Sequence, residues 1–336
     1  MAEKANPKAK KQSSQSKKGA QKTWPFYVAI ILLFVIYLMV QKYAIASIVV
    51  GAMLFLLIIV LIVLEFMNGI REEGIAKNVI EVVLAVAIVL ILWFGAALVL
   101  HTSAPLNVVP SCSMLPYLHR GDMIAISGVT DISQLKAPIV SMSAQQFNSM
   151  YSNIGEEFLS CVAYNESGDT AHVSQYFKPG WSIGLYSSAL NTIINSSSQP
   201  GAVKYTCGIR NVTFQNGTVM QEAYTTAITI GSTTIIGDMN NSVVVYKTIP
   251  GDSFYDEGDA YVVHRVYAII NVSGSYYILT KGDNNPGLDM QYGNYPISIR
   301  DVEGRVIASV PYIGYLKLIL SNSFSQPAGC NFVTQH

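Results

Sequence analysis

The sequence predicts a membrane protein in which N-terminal transmembrane α-helices precede a mainly antiparallel β domain outside the cytoplasm, and this domain carries a large β-rich insertion. Three observations predict this class. Residues 25–100 of the 336-residue chain are almost continuously apolar. The remainder contains short runs rich in Val, Ile, Tyr and Thr between clusters of Gly, Asn, Asp and Pro, as strands and turns do. Residues 129–235 differ from their flanks because they are rich in Ser, Thr, Asn and Tyr and poor in charge, which indicates an inserted subdomain.

Residues 1–23 are predicted to be a disordered basic cytoplasmic tail. Their only acid is Glu3, and their lysines are Lys4, Lys8, Lys10, Lys11, Lys17, Lys18 and Lys22. A segment of this composition cannot bury enough apolar surface to fold. A nucleic-acid partner is not expected, because no aromatic residues are interleaved with the lysines and an apolar run follows at once.

The apolar region is interrupted twice and therefore predicts three transmembrane helices, at about 25–40, 44–64 and 79–100. A cleaved signal peptide is not expected, since the apolar region is longer than a signal-peptide core and repeats. Short loops rich in Lys and Arg stay in the cytoplasm. With the basic tail inside and three crossings, everything after His101 lies outside. The expected location is the cell membrane or the endoplasmic-reticulum membrane, with several spans.

The chain after the last span divides into a β-rich core formed by residues 101–128 and 236–320, the insertion 129–235, and a C-terminal tail 321–336. Runs typical of strands occur at 123–126, 203–206, 227–230, 243–246, 261–270 and 276–280. No long helical periodicity appears outside the apolar region.

The chain has four cysteines. In an oxidising compartment Cys161 and Cys207 are the expected disulfide, because both lie in the insertion. Cys330, near the end of the chain, is expected to be free or exposed. Cys112 is interpreted as structural, since no basic residue stands beside it to lower its thiol pKa.

Residues 109–116, with the sequence VPSCSMLP, follow closely on the last apolar run and contain Ser111 and Ser113. They precede His119-Arg120-Gly121-Asp122. Serine is a weak nucleophile unless a base removes its proton, so a serine-rich turn alone does not indicate chemistry. The rest of the chain must supply the base.

His264 is the candidate base. It lies in the predicted strand 260–270, on a face shared with Val262, Val266, Ala268 and Ile270. This apolar face is equally compatible with a core histidine that makes one backbone hydrogen bond. A catalytic histidine needs a carboxylate beside it to orient its ring.

A two-residue turn at Ser273-Gly274 would pair Val272 with Ser275 and place His264 opposite Asp283. A bulge or a longer turn would move this pairing by one or two residues. Asp283 could equally close the strand as a turn residue. Asp289 is a second acid near enough to serve instead.

Four separated motifs in this order resemble type I signal peptidases of the archaeal and endoplasmic-reticulum branch. They are Pro110-Ser111-Cys112-Ser113-Met114-Leu115-Pro116 with Arg120-Gly121-Asp122, then Val263-His264-Arg265-Val266, Thr280-Lys281-Gly282-Asp283-Asn284-Asn285, and Val310-Pro311-Tyr312-Ile313-Gly314-Tyr315. The resemblance implies that Ser113 is the nucleophile and His264 the general base. It favours Asp289 as the triad acid and gives Asp283 a supporting role, whereas the hairpin register favours Asp283.

The resemblance also implies an oxyanion hole formed by the Ser111 hydroxyl and the Ser113 backbone N–H, and no cofactor or metal. The implied activity is removal of signal peptides from translocated preproteins by a membrane-bound serine endopeptidase. The implied partners are these preproteins, the lipid bilayer, which residues 311–320 are expected to touch, and the protein-translocation channel as a candidate.

The chain departs from this family in several respects. The family has one or two spans before the nucleophile and a glycine where this chain has Cys112, and the insertion adds roughly a hundred residues. Lys281 is an alternative base, disfavoured because a lysine in a turn is normally solvated and keeps a high pKa. A different class also remains open, a non-catalytic membrane-anchored surface glycoprotein or partner-docking protein derived from a protease fold.

Overall fold

The computed structural model describes residues 23–40, 43–73, 75–154, 158–167, 170–194, 199, 201–320, 327 and 329–335. The predicted basic tail, apart from Thr23, lies outside these residues. The chain divides into two compact units, Met1–Leu90 and Ile91–His336.

Three helices occupy the apolar region, and their bounds are α1 Trp24–Val40, α2 Ala44–Glu73 and α3 Ile75–Val99. Two stretches, Ile45–Ile70 and Val79–Val99, are long and apolar enough to cross a membrane by length and composition. The apolar part of α1, Trp24–Tyr37, is shorter. Two of the three predicted spans thus meet the length requirement of roughly 17–25 residues comfortably. The three-span count and its topology stay predictions.

The part of the chain that follows is built mainly of strands. In chain order its elements are β1 Leu106–Val108, β2 Met123–Ser127, β3 Ile139–Ser141, α4 Ala144–Asn153, β4 Leu159–Ser167, β5 Thr170–Ser174, β6 Ser182–Ser187, β7 Thr192–Ile194, β8 Val203–Phe214, β9 Val219–Ile230, β10 Thr233–Ile236, β11 Val243–Lys247, α5 Ser253–Asp256, β12 Tyr261–Val272, β13 Ser275–Lys281, β14 Ile297–Ser298, β15 Val302–Val310, α6 Tyr315–Leu320 and β16 Phe332–Thr334.

The main sheet has the strand order β1-β2-β15-β11-β12-β13-β14. Its strands pair antiparallel, except that β3 pairs in parallel with β12. The mainly antiparallel β architecture predicted from the sequence is confirmed. Because β3 lies within residues 129–235, the beginning of that stretch belongs to the main sheet, and separate sheets start only after it.

Two four-stranded sheets account for most of residues 129–235, with the orders β10-β9-β8-β16 and β5-β4-β6-β7. β16 comes from the predicted C-terminal tail, where Phe332 pairs with Phe214 and Thr334 with Val212. The prediction of a tail was therefore wrong for residues 329–335. A three-residue strand is too short to produce a periodic signal, and only its partner identifies it.

The β12–β13 hairpin has the predicted turn but not the predicted register. Val272 pairs with Ser275, and both Ser273 and Gly274 have positive φ, as a two-residue hairpin turn requires. Further along, the register shifts between Val266 and Ala268, a β-bulge that brings Arg265 opposite Lys281. Each residue of β12 before the bulge is consequently displaced by one position relative to the sequence-based pairing.

Both pairs of cysteines form disulfides. Cys161 on β4 is joined to Cys207 on β8, as predicted. Cys330 is bonded to Cys112 and is buried, so the prediction that it is free or exposed was wrong. The two residues lie 218 positions apart in the chain, and no local pattern relates them.

The loop that contains Ser113 is anchored by its own apolar residues. Met114 and Leu118 are fully buried against Ile124, Ile126 and the valines of β11. Each such side chain contributes about 1.5–3 kcal/mol on burial. These two residues, which follow Ser113 in the chain, thereby fix its loop to the main sheet.

We predict that Gly121→Ala destabilises the protein more than Gly258→Ala does. Both glycines have positive φ, which costs any L-residue about 1–2 kcal/mol. A Cβ on Gly121 would also lie 2.2 Å from ring carbons of Tyr315, whereas a Cβ on Gly258 would meet nothing within 4 Å. The clash adds about 1–3 kcal/mol. Thermal unfolding of the detergent-solubilised protein measures both variants, and equal losses would show that the Tyr315 ring moves aside freely.

Candidate active site

The turn around Ser113 is closed by the Arg120-Gly121-Asp122 segment. Val109 N–H donates to the Asp122 carbonyl, and Gly121 N–H donates to the Val109 carbonyl, at 2.9 and 2.8 Å. The buried Asp122 carboxylate accepts hydrogen bonds from the backbone N–H groups of His119 and Tyr312. The Ser113 loop is thus held at its base by backbone hydrogen bonds and by one carboxylate that joins it to the chain following β15.

Ser113, His264 and Asp289 form a continuous hydrogen-bonded chain. Ser113 Oγ lies 3.0 Å from His264 Nε2, and His264 Nδ1 lies 2.7 Å from Asp289 Oδ2. His264 and Asp289 are each only 2% exposed. An ionised carboxylate can only accept, so Nδ1 carries the proton and Nε2 is left to accept the serine hydroxyl. His264 therefore differs from a core histidine with one backbone hydrogen bond, because both of its ring nitrogens face polar side chains.

The Asp289 carboxylate is held ionised by its partners. Oδ2 also accepts hydrogen bonds from Thr280 Oγ1 at 2.6 Å and from the Tyr246 hydroxyl at 3.1 Å. Burial raises the pKa of Asp289, but the electrostatic attraction of the neighbouring imidazole and the hydrogen bonds from His264, Thr280 and Tyr246 outweigh it and lower the pKa below its ordinary value. Burial and the Asp289 charge keep the pKa of Tyr246 well above its ordinary value, so its hydroxyl remains a donor.

Ser111 lies beside Ser113, with the two Oγ atoms 3.2 Å apart. The Ser113 carbonyl accepts the backbone N–H of Asn284 at 2.7 Å. The Ser113 N–H donates to none of the described residues. Both serines predicted for the site are therefore close together, and one backbone donor beside them is available.

Asp283 does not contact His264, so the pairing expected from the hairpin register was wrong. Its carboxylate instead makes two hydrogen bonds of 2.8 Å to the guanidinium of Arg265. The physical reason is the bulge in β12, which shifts the pairing of β12 with β13 by one residue. Asp283 therefore lies beside Arg265 and not beside His264. Arg265 also donates to the carbonyls of Met239 and Asn241, and its guanidinium lies over the Tyr117 ring.

Three residues that hold this site were not predicted as site residues. Thr280 and Tyr246 reach Asp289 from the strands flanking β12, and Asn284 holds the Ser113 carbonyl. Thr280 and Asn284 lie in the motif that carried the family resemblance, so a signal for them was present. Nothing in the sequence distinguishes Tyr246 from the other tyrosines.

Lys281 is not a solvated turn lysine, and the prediction that its pKa stays high was wrong. It ends β13 and is half-buried beside a cavity of about 340 Å³, which it lines with Arg210, Arg265 and Asp283. Burial, together with the nearby Arg210 charge, lowers its pKa to about 7. Its ammonium donates to the Gly282 carbonyl at 3.1 Å, whereas the Ser113 hydroxyl faces His264.

A serine, a histidine and a buried aspartate joined by hydrogen bonds in this order form the arrangement of Ser-His-Asp hydrolases. Here it stands on an antiparallel sheet that follows long apolar helices. The fold and the site are therefore consistent with the class of membrane-anchored proteases.

The chain is 35% identical over 82 residues to the signal peptidase complex catalytic subunit SEC11 of Verticillium alfalfae, covering 24% of this chain and 44% of the relative. The subunit of the same name from Chaetomium globosum is 29% identical over 90 residues, covering 26% and 49%, and that from Colletotrichum graminicola is 36% identical over 63 residues, covering 18% and 37%. The chain thus spans less than half the length of these curated relatives. No protein-family model matches it. The resemblance to the endoplasmic-reticulum type of the signal peptidase I family is confirmed.

We predict that Lys281→Met stabilises the protein at neutral pH and that this advantage shrinks as the pH rises. The pKa of Lys281 is about 7 in the folded protein and about 10.4 in an unfolded chain, so only the unfolded state holds the proton between these values. Stability of the wild type therefore rises through this window, and the methionine variant lacks that rise. Unfolding of both proteins at pH 7 and at alkaline pH measures the difference.

Lys247→Met is the matched control, since Lys247 is exposed at the end of β11. A stability difference between wild type and Lys281→Met that stayed constant with pH would show that the ammonium is fully hydrated in the folded protein.

Proposed function

We propose that this chain is a membrane-bound serine endopeptidase that removes signal peptides from translocated preproteins by Ser-His-Asp acyl transfer. The observation that carries the proposal is the continuous hydrogen-bonded chain from Ser113 through His264 to the ionised Asp289. The similarity to signal peptidase complex catalytic subunits supports the substrate class.

In the proposed mechanism, His264 Nε2 accepts the Ser113 proton while Oγ attacks the scissile carbonyl of the preprotein. The imidazolium that forms is stabilised by the Asp289 carboxylate, which remains ionised. His264 then delivers the proton to the departing amine. Water attacks the resulting acyl-enzyme with His264 again acting as base, and the signal peptide leaves with a free carboxylate.

The tetrahedral intermediate needs donors for its oxyanion. The Ser111 hydroxyl and the Ser113 N–H are the proposed pair. The 3.2 Å separation of the two hydroxyls supports it, as does a backbone N–H that donates to no residue in the described part of the chain. One such donor typically contributes about 3 kcal/mol, because the charge it binds develops only in the transition state.

Location supports the same substrate class. The Ser113 loop follows α3 closely in the chain, which would keep the site near the extracytoplasmic surface of an endoplasmic-reticulum or cell membrane. Ile313, Leu316 and Ile319 are exposed in and before α6, and these apolar side chains support contact of this segment with lipid. Preproteins, the bilayer and, as a candidate, the translocation channel are the proposed partners.

The alternative of a non-catalytic surface or docking protein has no comparable support. A non-catalytic role gives no reason for a serine hydroxyl, an imidazole and a buried carboxylate to be joined in this order, whereas the proposed reaction requires it.

We expect Ser113→Ala and His264→Ala to abolish cleavage of a preprotein by the detergent-solubilised full-length protein, since one removes the nucleophile and the other its base. Lys281→Met should still cleave, because its ammonium does not contact the serine. Gel analysis of the processed product measures all four proteins. Undiminished cleavage by Ser113→Ala would refute the proposal, and loss confined to Lys281→Met would make lysine the base.

Substitution of the two aspartates should have different effects, on catalysis for Asp289 and on stability for Asp283. Asp289→Asn is expected to lower kcat by about 10⁴-fold with the fold retained, because an amide favours the wrong histidine tautomer. Asp283→Asn should mainly destabilise the protein, since leaving the buried Arg265 without its carboxylate costs about 3–5 kcal/mol. Initial rates and thermal unfolding measure the two effects. A catalytic defect seen with Asp283→Asn alone, at unchanged stability, would reverse these roles.

A further inference from the structure

The residue between the two active-site serines is covalently tied to the end of the chain. Cys112 is bonded to Cys330, and both are buried beside Leu115 and Val333. We name the segment that carries Cys330 the C-terminal clasp, defined as residues 329–335. The bond reaches the Ser113 loop at the position next to the nucleophile, where any displacement acts directly on Ser113 Oγ and on its backbone N–H.

A second connection reaches Ser113 from the other side through Asn284. The side-chain amide of this buried residue donates to the carbonyls of Gly329 and Phe332 at 3.0 and 3.1 Å, and its oxygen accepts the N–H of Thr334 at 3.0 Å. The Asn284 backbone N–H in turn donates to the Ser113 carbonyl at 2.7 Å. The clasp therefore binds both the amide nitrogen and the oxygen of the Asn284 side chain, whose backbone N–H holds the Ser113 carbonyl.

The clasp is itself fixed to the inserted sheet. Phe332, Val333 and Thr334 form β16 and pair with β8 from Phe214 to Val212. Gln335 N–H donates to the Asn211 carbonyl, and Gln215 N–H donates to the Asn331 carbonyl. The β8–β9 hairpin is thus the part of the inserted sheet to which the clasp, and through it the Ser113 loop, is attached.

We propose that the C-terminal clasp is a positioning element for Ser113, and that the Cys112–Cys330 disulfide makes the activity depend on an oxidising environment. This inference rests on the proposed function. A catalytic constellation must be held to within about 0.5 Å of its productive geometry. The resemblance leads one to expect glycine at position 112, and a glycine could not attach the loop covalently to another part of the chain. Here the disulfide attaches the loop to a separate sheet.

A dithiol can reduce the Cys112–Cys330 bond. Dithiothreitol supplies two electrons and becomes a cyclic disulfide, the Sγ–Sγ bond breaks, and Cys112 and Cys330 each gain a proton as thiols. Among the described residues, the clasp then remains connected to the Ser113 loop by the hydrogen bonds of Asn284 and by the apolar contacts of Leu115 and Val333.

The test compares wild type with two double variants of the full-length protein, each lacking one disulfide. Cys112→Ser/Cys330→Ser removes the clasp bond. Cys161→Ser/Cys207→Ser is the matched control, because it removes the bond between β4 and β8 and leaves the clasp intact. Each protein is assayed with and without dithiothreitol for kcat and KM on a preprotein, and for Ser113-dependent hydrolysis of a p-nitrophenyl ester, with Ser113→Ala as the blank.

We expect the clasp variant to lose roughly 10- to 100-fold in kcat with KM little changed, since a misplacement of about 1 Å can cost 10²-fold in rate. Dithiothreitol should not slow it further. The control variant should turn over like wild type and should lose activity on reduction to the level of the clasp variant. A merely structural disulfide would lower the melting temperature without this change in kcat and without this pattern of sensitivity to reductant.

Wild-type kcat in the folded clasp variant, or a control variant whose activity survives complete reduction, would overturn the inference. If the clasp variant fails to fold, reduction of the folded control variant decides the question alone. The ester assay separates the two proposals, because a protein that hydrolyses the ester but no preprotein would refute the substrate class while still reporting on the clasp.

Discussion

The site depends on the hydrogen bonds that compensate the buried charge of the Asp289 carboxylate. A charge removed from water must be compensated by donors, and three of them converge on Oδ2, from Tyr246, His264 and Thr280. These donors stand on β11, β12 and β13, three adjacent strands of the main sheet. Loss of the strand order would leave the charge uncompensated. The ionised acid therefore depends on the order of these strands, and the imidazole beside it is held in one tautomer.

The opposite face of the same strands carries a second electrostatic network with a different role. Arg265 follows His264 directly, and successive residues of a strand point to opposite faces. It binds Asp283, two backbone carbonyls and the Tyr117 ring, and it borders the cavity into which Lys281 is drawn. Two acids only six residues apart in the chain thus serve the two faces. This separation explains why one can orient the histidine while the other holds the sheet and the following loop together.

The inserted strands are connected to the Ser113 loop in a way their sequence does not reveal. The β8–β9 hairpin pairs with β16, and β16 is linked to the loop by the Cys112–Cys330 bond and by Asn284. The insertion is thereby part of the scaffold that holds the loop with the two serines. A disulfide at this point also suits a domain on the oxidising side of a membrane.

Local patterns in the sequence were enough to predict much of the structure of this protein. The apolar helices, the antiparallel texture, the Ser273-Gly274 turn and the Cys161–Cys207 pair followed from composition, turn chemistry and proximity in the chain. The motifs around Ser113 and His264 identified the residues that meet in the site. Only the tertiary structure decided which aspartate binds His264, because the bulge near Val266 has no sequence signature and shifts every pairing beyond it. The sequence likewise did not determine three other features, since each depends on contacts with residues distant in the chain. They are the partner of Cys330, the strand β16 and the half-buried position of Lys281.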